Sequence, residues 1–157
     1  MPTNVTLRAV EPADLPVFFE HQLDAEATRL AAFPSRERDA FMAHWAKVLA
    51  NPACVARTIV ADGCVVGNIG AWTDGETRDR LVGYWLGRDA WGRGIATAAL
   101  SQFCGYESTR PLTARVARHN APSLRVLQKC GFVLTGEDRI PEPDGHVHEE
   151  FILTREA

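Results

Sequence analysis

The stretch Tyr84-Trp85-Leu86-Gly87-Arg88-Asp89-Ala90-Trp91-Gly92-Arg93-Gly94-Ile95-Ala96 carries more information than any other part of the chain. An apolar run of strand character ends in a glycine-containing turn, and an alanine-rich helical segment begins at once. Amides in the first turn of a helix have no intrahelical partner and carry partial positive charge, so a strand-turn-helix junction attracts phosphate. Gly92 and Gly94 let the backbone approach an anion without side-chain obstruction, and Arg93 between them can add a charge-assisted bond. Taken alone, the same residues also suit a plain strand-to-helix corner. Other phosphate motifs do not fit. The chain has no Gly-Lys-Ser/Thr run of the P-loop kind, and Thr97 stands where a dinucleotide fingerprint needs its third glycine.

Working outward, the periodicity gives the remaining elements. Val5, Leu7 and Ala9 alternate as in a short first strand, and Glu11-Pro12 opens a helix with Leu15, Phe18, Phe19 and Leu23 on one face. A second helix is expected from Ser35, with Phe41, Trp45, Val48 and Leu49 as its stripe and Asn51-Pro52 as its end. Cys54 to Ala61 and Cys64 to Trp72 read as strands joined by Asp62-Gly63, a strong hairpin signal, and Leu81 to Leu86 as a third. The helix from about Gly94 is expected to close at Gly105. Leu112 to Ala117 is a strand, and the helix from Asn120-Ala121-Pro122-Ser123 stops at Gly131. Phe132 to Thr135 and Glu149 to Thr154 close the chain around the loop of Pro141, Pro143 and Gly145. The order β-α-α-β-β-β-α-β-α-β-β predicts an α+β layer sandwich, and 157 residues predict one domain over 1–157.

Composition narrows the class. A chain 46% apolar and 24% charged is globular, and a net charge of −3 argues against a non-specific nucleic-acid binder. The longest stretch without Asp, Glu, Lys, Arg or His, Gly94 to Tyr106, falls well short of the roughly 20 apolar residues of a membrane helix. Met1-Pro2-Thr3-Asn4-Val5 is neither basic nor apolar, so no secretory leader is expected. Cys54, Cys64, Cys104 and Cys130 form no Cys-x-x-Cys pair and read as buried reduced thiols, which fits a cytoplasmic protein. His146 and His148 alternate without further ligands, so no metal is expected.

Charge is unevenly placed. Arg110, Arg115, Arg118, Arg125 and Lys129 fall in one segment without an acid, whereas the last twenty-two residues hold seven acids and two bases. A basic zone beside a phosphate-cradling turn suits a multiply phosphorylated small ligand, although any one of these residues also suits a solvated helix face.

Together these features resemble the Gcn5-related N-acetyltransferase (GNAT) superfamily, in particular its branch of ribosomal-protein N-terminal alanine acetyltransferases. Trp91-Gly92-Arg93-Gly94-Ile95-Ala96 is similar to the family's acetyl-CoA signature Gln/Arg-x-x-Gly-x-Gly/Ala, with Trp91 in place of the usual first residue. Asn120-Ala121-Pro122-Ser123 followed by Lys129-Cys130-Gly131-Phe132 is similar to the family's Asn-x-x-Ser…Lys-x-Gly-Phe. The resemblance implies a mixed, mostly antiparallel sheet, splayed at the cofactor site and flanked by helices. It implies that the amides of Gly92, Arg93, Gly94, Ile95, Ala96 and Thr97, with the Arg93 side chain and Trp91 beside them, hold the CoA pyrophosphate. It further implies that the strand ending at Trp85-Leu86 pairs with the pantetheine arm, that the Asn120 side chain contacts the pantetheine or acetyl end, and that Ser123 also belongs to the cofactor site. Asn120 equally suits a helix N-cap, and one Asn can do both.

The reaction implied is direct attack of a primary amine on acetyl-CoA, with no metal. Many relatives carry an acidic tyrosine seven residues after the Asn, and here that slot holds Leu127. Tyr84 and Tyr106 occupy other places. Ser123 is the substitute considered for the acid, against a purely local role at the helix start, and Glu20, Glu149 or Glu150 for the base. His119, with a suitable intrinsic pKa, is an equally good bystander. Phe18, Phe19, Glu20, His21, Phe33 and Trp45, with Glu142, Asp144, Glu149 and Glu150, are expected around the acceptor. Acidic groups there would favour a small cationic amine or a peptide N-terminus. Neither a nucleic acid nor a membrane is expected as partner, and a homodimer stays open. Two other classes remain: a catalytically silent acyl-CoA-binding module and a nucleotide-binding regulatory domain.

Overall fold

A computed structural model describes residues 3–157; Met1 and Pro2, from the N-terminal stretch read above, lie outside the described residues. The elements are β1 (Val5–Ala9), α1 (Asp14–Gln22), α2 (Ala25–Ala31), α3 (Arg38–Ala50), β2 (Val55–Ala61), β3 (Cys64–Thr73), β4 (Arg80–Leu86), α4 (Ile95–Tyr106), β5 (Leu112–Ala117), α5 (Ala121–Lys129), β6 (Val133–Pro141) and β7 (Val147–Arg155). Seven strands form one sheet in the order β1-β2-β3-β4-β5-β7-β6, antiparallel except for β4 against β5. This is the mixed α+β sandwich that the element order predicts.

The β2–β3 hairpin follows from its turn residues. Asp62 (φ 49°) and Gly63 (φ 83°) both take positive φ, the conformation a two-residue hairpin of right-handed twist requires. Period-2 alternation, shifted by one residue at a β3 bulge between Val65 and Gly67, then sorts side chains to two cores. Ile59, Ala61, Ile69 and Ala71 join Ile95, Ala99, Leu100 and Phe103 of α4 on one face. Ala56 and Val65 meet Phe18, Phe41 and Trp45 of α1 and α3 on the other. α5 ends in a Schellman motif: Gly131 at φ 87° donates to Gln128 O at 3.1 Å, and Phe132 donates to Leu127 O at 3.0 Å.

Five expectations change. Between the first two expected helices lies α2, a seven-residue helix whose small apolar face is Ala27, Leu30 and Ala31; Asp24 starts it by accepting from the amides of Glu26 (2.9 Å) and Ala27 (3.0 Å). The next helix begins at Arg38, with Glu37 in the cap position and no cap from Ser35. Gly105 lies inside α4, which runs on to Tyr106 because nothing there takes positive φ. β6 and β7 extend well past the apolar runs that mark them, since pairing with each other supplies backbone partners without burying β6. Cys104 and Cys130 are buried and burial pushes both thiols up, whereas Cys64, directly after the hairpin turn, is exposed. No described helix is long and apolar enough to cross a membrane.

One buried charge ties β1, α1 and β2 together. Arg8 donates through Nη1 and Nη2 to Asp14 at 2.8 and 2.9 Å, Glu11 N donates at 2.8 Å, and Thr58 Oγ1 donates at 2.7 Å. The Arg8 guanidinium, followed by these other donors, lowers the Asp14 carboxyl to about 2 against the cost of its burial. A folded-state pKa below the unfolded one means stability that is complete above the unfolded value near 4 and is lost as pH falls towards 2. Asp14→Asn is expected to cost on the order of 2 kcal/mol at neutral pH. In urea titrations that gap should narrow as the pH falls from about 5 to about 3.

Candidate functional site

The site begins where the sheet opens. β4 pairs with β5 only at Arg80↔Leu112 and Leu81↔Thr113, while on its other side it stays paired with β3 through Leu86. Beyond Leu81 the facing edges of β4 and β5 therefore present backbone groups with no sheet partner. At this paired end half-buried Arg80 holds the buried Glu107, at the end of α4, through Nη2 to Oε1 at 2.6 Å.

β4 runs into the turn Arg88–Ala90 and then into Gly92 and Gly94, at φ 72° and 75°. A Cβ on either glycine would meet nothing within 4 Å, so the turn fronts open space; the positive φ is what demands glycine. Gly94 caps α4 with no side chain over the first-turn amides, which leaves those of Ile95, Ala96 and Thr97 unpaired. Trp91 fixes this turn from behind, donating from Nε1 to Leu86 O at 3.2 Å while the Arg88 guanidinium stacks on its ring at 5.7 Å.

A cavity of about 490 Å³ lies in front. Its lining includes Trp85, Leu86, Trp91, Gly92, Gly94, Ile95, Ala96 and Thr97, then Asn120, Ser123, Arg125 and Lys129 from the start and body of α5, and Ala27, Leu30 and Ala31 from α2. A smaller cavity of about 120 Å³ sits between the diverging strands, lined by Val82 to Tyr84, Ala114 to Ala117, Leu127 and Glu150. Tyr84, Asn120 and Ser123 line both cavities. Asn120 caps α5, its Oδ1 accepting from Ser123 N at 3.3 Å. The Ser123 hydroxyl is not used for capping: its Oγ accepts from the Tyr84 hydroxyl at 3.1 Å. Burial pushes the Tyr84 phenol up, against the smaller opposing effect of the Ser123 bond.

Of the thirteen residues that the sequence points to as cofactor-binding or catalytic, ten line the first cavity; Arg93, Glu20 and Glu150 do not. The Arg93 side chain turns towards Asp62 at 3.5 Å, and Glu20, on α1, lines neither cavity. Glu150 lines the second cavity, where Arg115 Nε donates to its Oε1 at 3.0 Å. Glu149 instead accepts from Arg118 at 2.9 Å. His119 Nε2 meets Arg29 O at 2.6 Å and so ties the β5–α5 turn to α2. Phe18 and Trp45 belong to the second core, Phe33 is exposed beneath Arg36, and none of the three lines a cavity.

The basic segment proves mostly scaffold. Arg110 donates to the carbonyls of Cys104, Glu107 and Thr109, Arg115 pairs with Asp138 and Glu150, and Arg118 with Glu149. Only Arg125 and Lys129 of this set reach the larger cavity, and neither forms an ion pair among the described residues. Tyr84 is the residue that sequence reasoning missed. Its signal was present, a lone polar ring in the strand that leads into the glycine turn, but its place two steps before Leu86 does not reveal which face it takes.

The sequence profile described as "Acetyltransferase (GNAT) domain" matches residues 4–133. No curated protein matches the chain. Among solved structures, RimJ of Mycobacterium smegmatis in complex with CoA-disulfide superposes with a TM-score of 0.79 at 24% identity, covering 98% of this chain and 82% of that one. Spermidine N-acetyltransferase from Vibrio cholerae, with CoA and spermine, gives 0.79 at 18% identity over 96% and 94%. The Microcin C7 self immunity acetyltransferase MccE, with acetyl-CoA and AMP, gives 0.79 at 16% identity over 98% and 92%. At these identities the likeness is one of fold.

The open space before Gly94 generates a direct test. Gly94→Glu places a carboxylate where a phosphate would sit and forces a side chain to φ 75°, at a backbone cost of about 1–2 kcal/mol. The variant is expected to stay folded by circular dichroism and to lose CoA binding in a calorimetric titration.

Proposed function

The chain belongs to the GNAT family of N-acetyltransferases, and from that premise we propose that it moves an acetyl group from acetyl-CoA to a primary amine at the meeting point of the two cavities. The observation that carries this reading is the set Tyr84, Asn120 and Ser123, shared by both linings. A group passed between two bound molecules has to lie where both can reach it. The same reading takes the chain as one acetyltransferase domain.

The larger cavity suits the CoA. The free amides from Gly92 to Thr97 receive its pyrophosphate, Arg93 contributes through its backbone, and Arg125 and Lys129 add positive charge. The unpaired edge of β4 near Trp85 and Leu86 gives the amide-bearing pantetheine arm a strand to pair with. At the junction the neutral amine attacks the thioester carbonyl. Glu150, oriented by Arg115, takes the proton that the amine sheds, and Ser123 faces the departing sulfur. No group of three His, Cys, Asp or Glu suited to a metal occurs among the described residues, and this chemistry asks for none.

The acceptor belongs to the class of small amines and exposed peptide N-termini. The branch resemblance carried by Asn120-Ala121-Pro122-Ser123 and Lys129-Cys130-Gly131-Phe132 favours an alanine-terminated peptide. An acidic field is a weaker argument than the sequence suggests, since Glu149, Glu150 and Asp138 already pair with Arg118 and Arg115.

Two measurements test this function. Acetyl-CoA is expected to raise the melting temperature by mass action, where ATP and NAD do not; equal shifts with all three would leave a nucleotide-binding domain. Release of free thiol from acetyl-CoA is expected in the presence of spermidine or an alanine-terminated hexapeptide. Binding without release to either would leave a silent CoA-binding module. Ser123→Ala is expected to lower kcat about 10- to 100-fold, the worth of one hydrogen bond to a charged group, with acetyl-CoA affinity unchanged. A helix-start role alone would instead lower the melting temperature and spare kcat.

A further inference from the structure

Tyr84 is the half-buried titratable group that this mechanism leaves without work. It stands on β4 beyond the last pair with β5, lines both cavities, and donates a hydrogen bond from its hydroxyl to Ser123 Oγ at 3.1 Å. Among the described residues Ser123 Oγ has no other hydrogen-bond partner, and the cap position is already filled by Asn120. A serine oxygen that accepts from Tyr84 has its own single proton left to direct elsewhere, and the space around it is the junction of the cavities.

We infer that Tyr84 is a positioning residue for thiolate departure: its hydroxyl locks Ser123 as a donor, and the file Tyr84→Ser123→sulfur stabilises the leaving CoA thiolate by hydrogen bonding. This rests on the reading that the thioester lies at the junction. The step balances without either hydroxyl giving up its proton. The C–N bond forms, the C–S bond breaks with its electron pair going to sulfur, and the amine proton goes to Glu150. A thiol of pKa about 8.5 is a stronger acid than a phenol at about 10, and stronger still than an aliphatic alcohol. A thiolate therefore does not strip Ser123 or Tyr84; it accepts a hydrogen bond from the file. Burial keeps the Tyr84 phenol protonated, so it retains the proton that it donates to Ser123. Leu127, also lining the smaller cavity, excludes water from the same spot without competing for these bonds.

The readout is the thiol pKa of bound CoA, measured by far-ultraviolet thiolate absorbance as the difference between the CoA and desulfo-CoA complexes, so that no acceptor is needed. Donors aimed at the thiolate lower that pKa. It is expected below the free-CoA value in the wild type, higher by roughly one unit in Ser123→Ala, and higher by roughly half a unit in Tyr84→Phe. Tyr84→Phe in the Ser123→Ala background should add nothing, because the file is already cut. Tyr84 and Tyr106 are the only tyrosines, so uniform 3-fluorotyrosine in a Tyr106→Phe background strengthens the donor at position 84 alone and should lower the thiol pKa further. That arm keeps the test intact should Tyr84→Phe fail to fold. An unchanged thiol pKa in Tyr84→Phe, independent effects of the two substitutions, or no response to fluorination would overturn the inference. Failure of the wild type to bind CoA at all would instead overturn the proposed function, and this inference with it.

Discussion

β4 and β5 lie side by side for two residue pairs and then part, and most of what is distinctive in this molecule follows from that divergence. A parallel pair needs a crossover, and α4 supplies it, entered through the Gly92–Gly94 turn and packed by Ile95, Ala99, Leu100 and Phe103 on the sheet. At the paired end Arg80 of β4 holds Glu107, just after α4, in an ion pair, and the opening lies at the far end. Unpaired strand edges inside a protein are unfavourable unless something bonds to them. Here the exposed edges, the free first-turn amides of α4 and the first turn of α5 converge on the same cleft. A ligand with phosphates at one end and amides along its length satisfies all of these groups.

Charge is organised around the same cleft. Arg115 of β5 and Arg118 just after it stand against the acids of β6 and β7, and the antiparallel pairing of β5 with β7 brings them within bonding distance. The ion pairs stitch an otherwise exposed edge strand to the sheet and neutralise most of the field that the two segments would create separately. What remains unpaired, Arg125 and Lys129, belongs to α5 and faces the larger cavity. The positive charge left free at the cleft is thus two side chains and a set of amides, and not a broad basic surface.

The elements with strong local signals were legible. The Asp62-Gly63 hairpin, the strand Leu112 to Ala117 and the Gly131 stop each depend on a backbone conformation or a period that neighbouring residues encode. α2 was not legible, because seven residues with an apolar face of only Ala27, Leu30 and Ala31 form a helix only with a cap and a surface to lie on, here Asp24 and the tether from His119 to Arg29. The length of β6 was hidden for a similar reason: an exposed polar strand exists through its partner's hydrogen bonds and leaves no hydrophobic pattern.

At the site the division is sharper. The glycine turn and Asn120 were readable by themselves, since each works through its own backbone or its own helix end, within a few residues of sequence. The sequence likewise determined the family, through two short motifs whose spacing is local. Only the tertiary structure decided which basic residues stay free, that Arg93 turns away to Asp62, and that Tyr84 meets Ser123 across thirty-nine positions. Such pairings depend on which strand lies beside which helix and on the face that each side chain takes, and no local period in the chain encodes a contact between residues that only the folded sheet brings together.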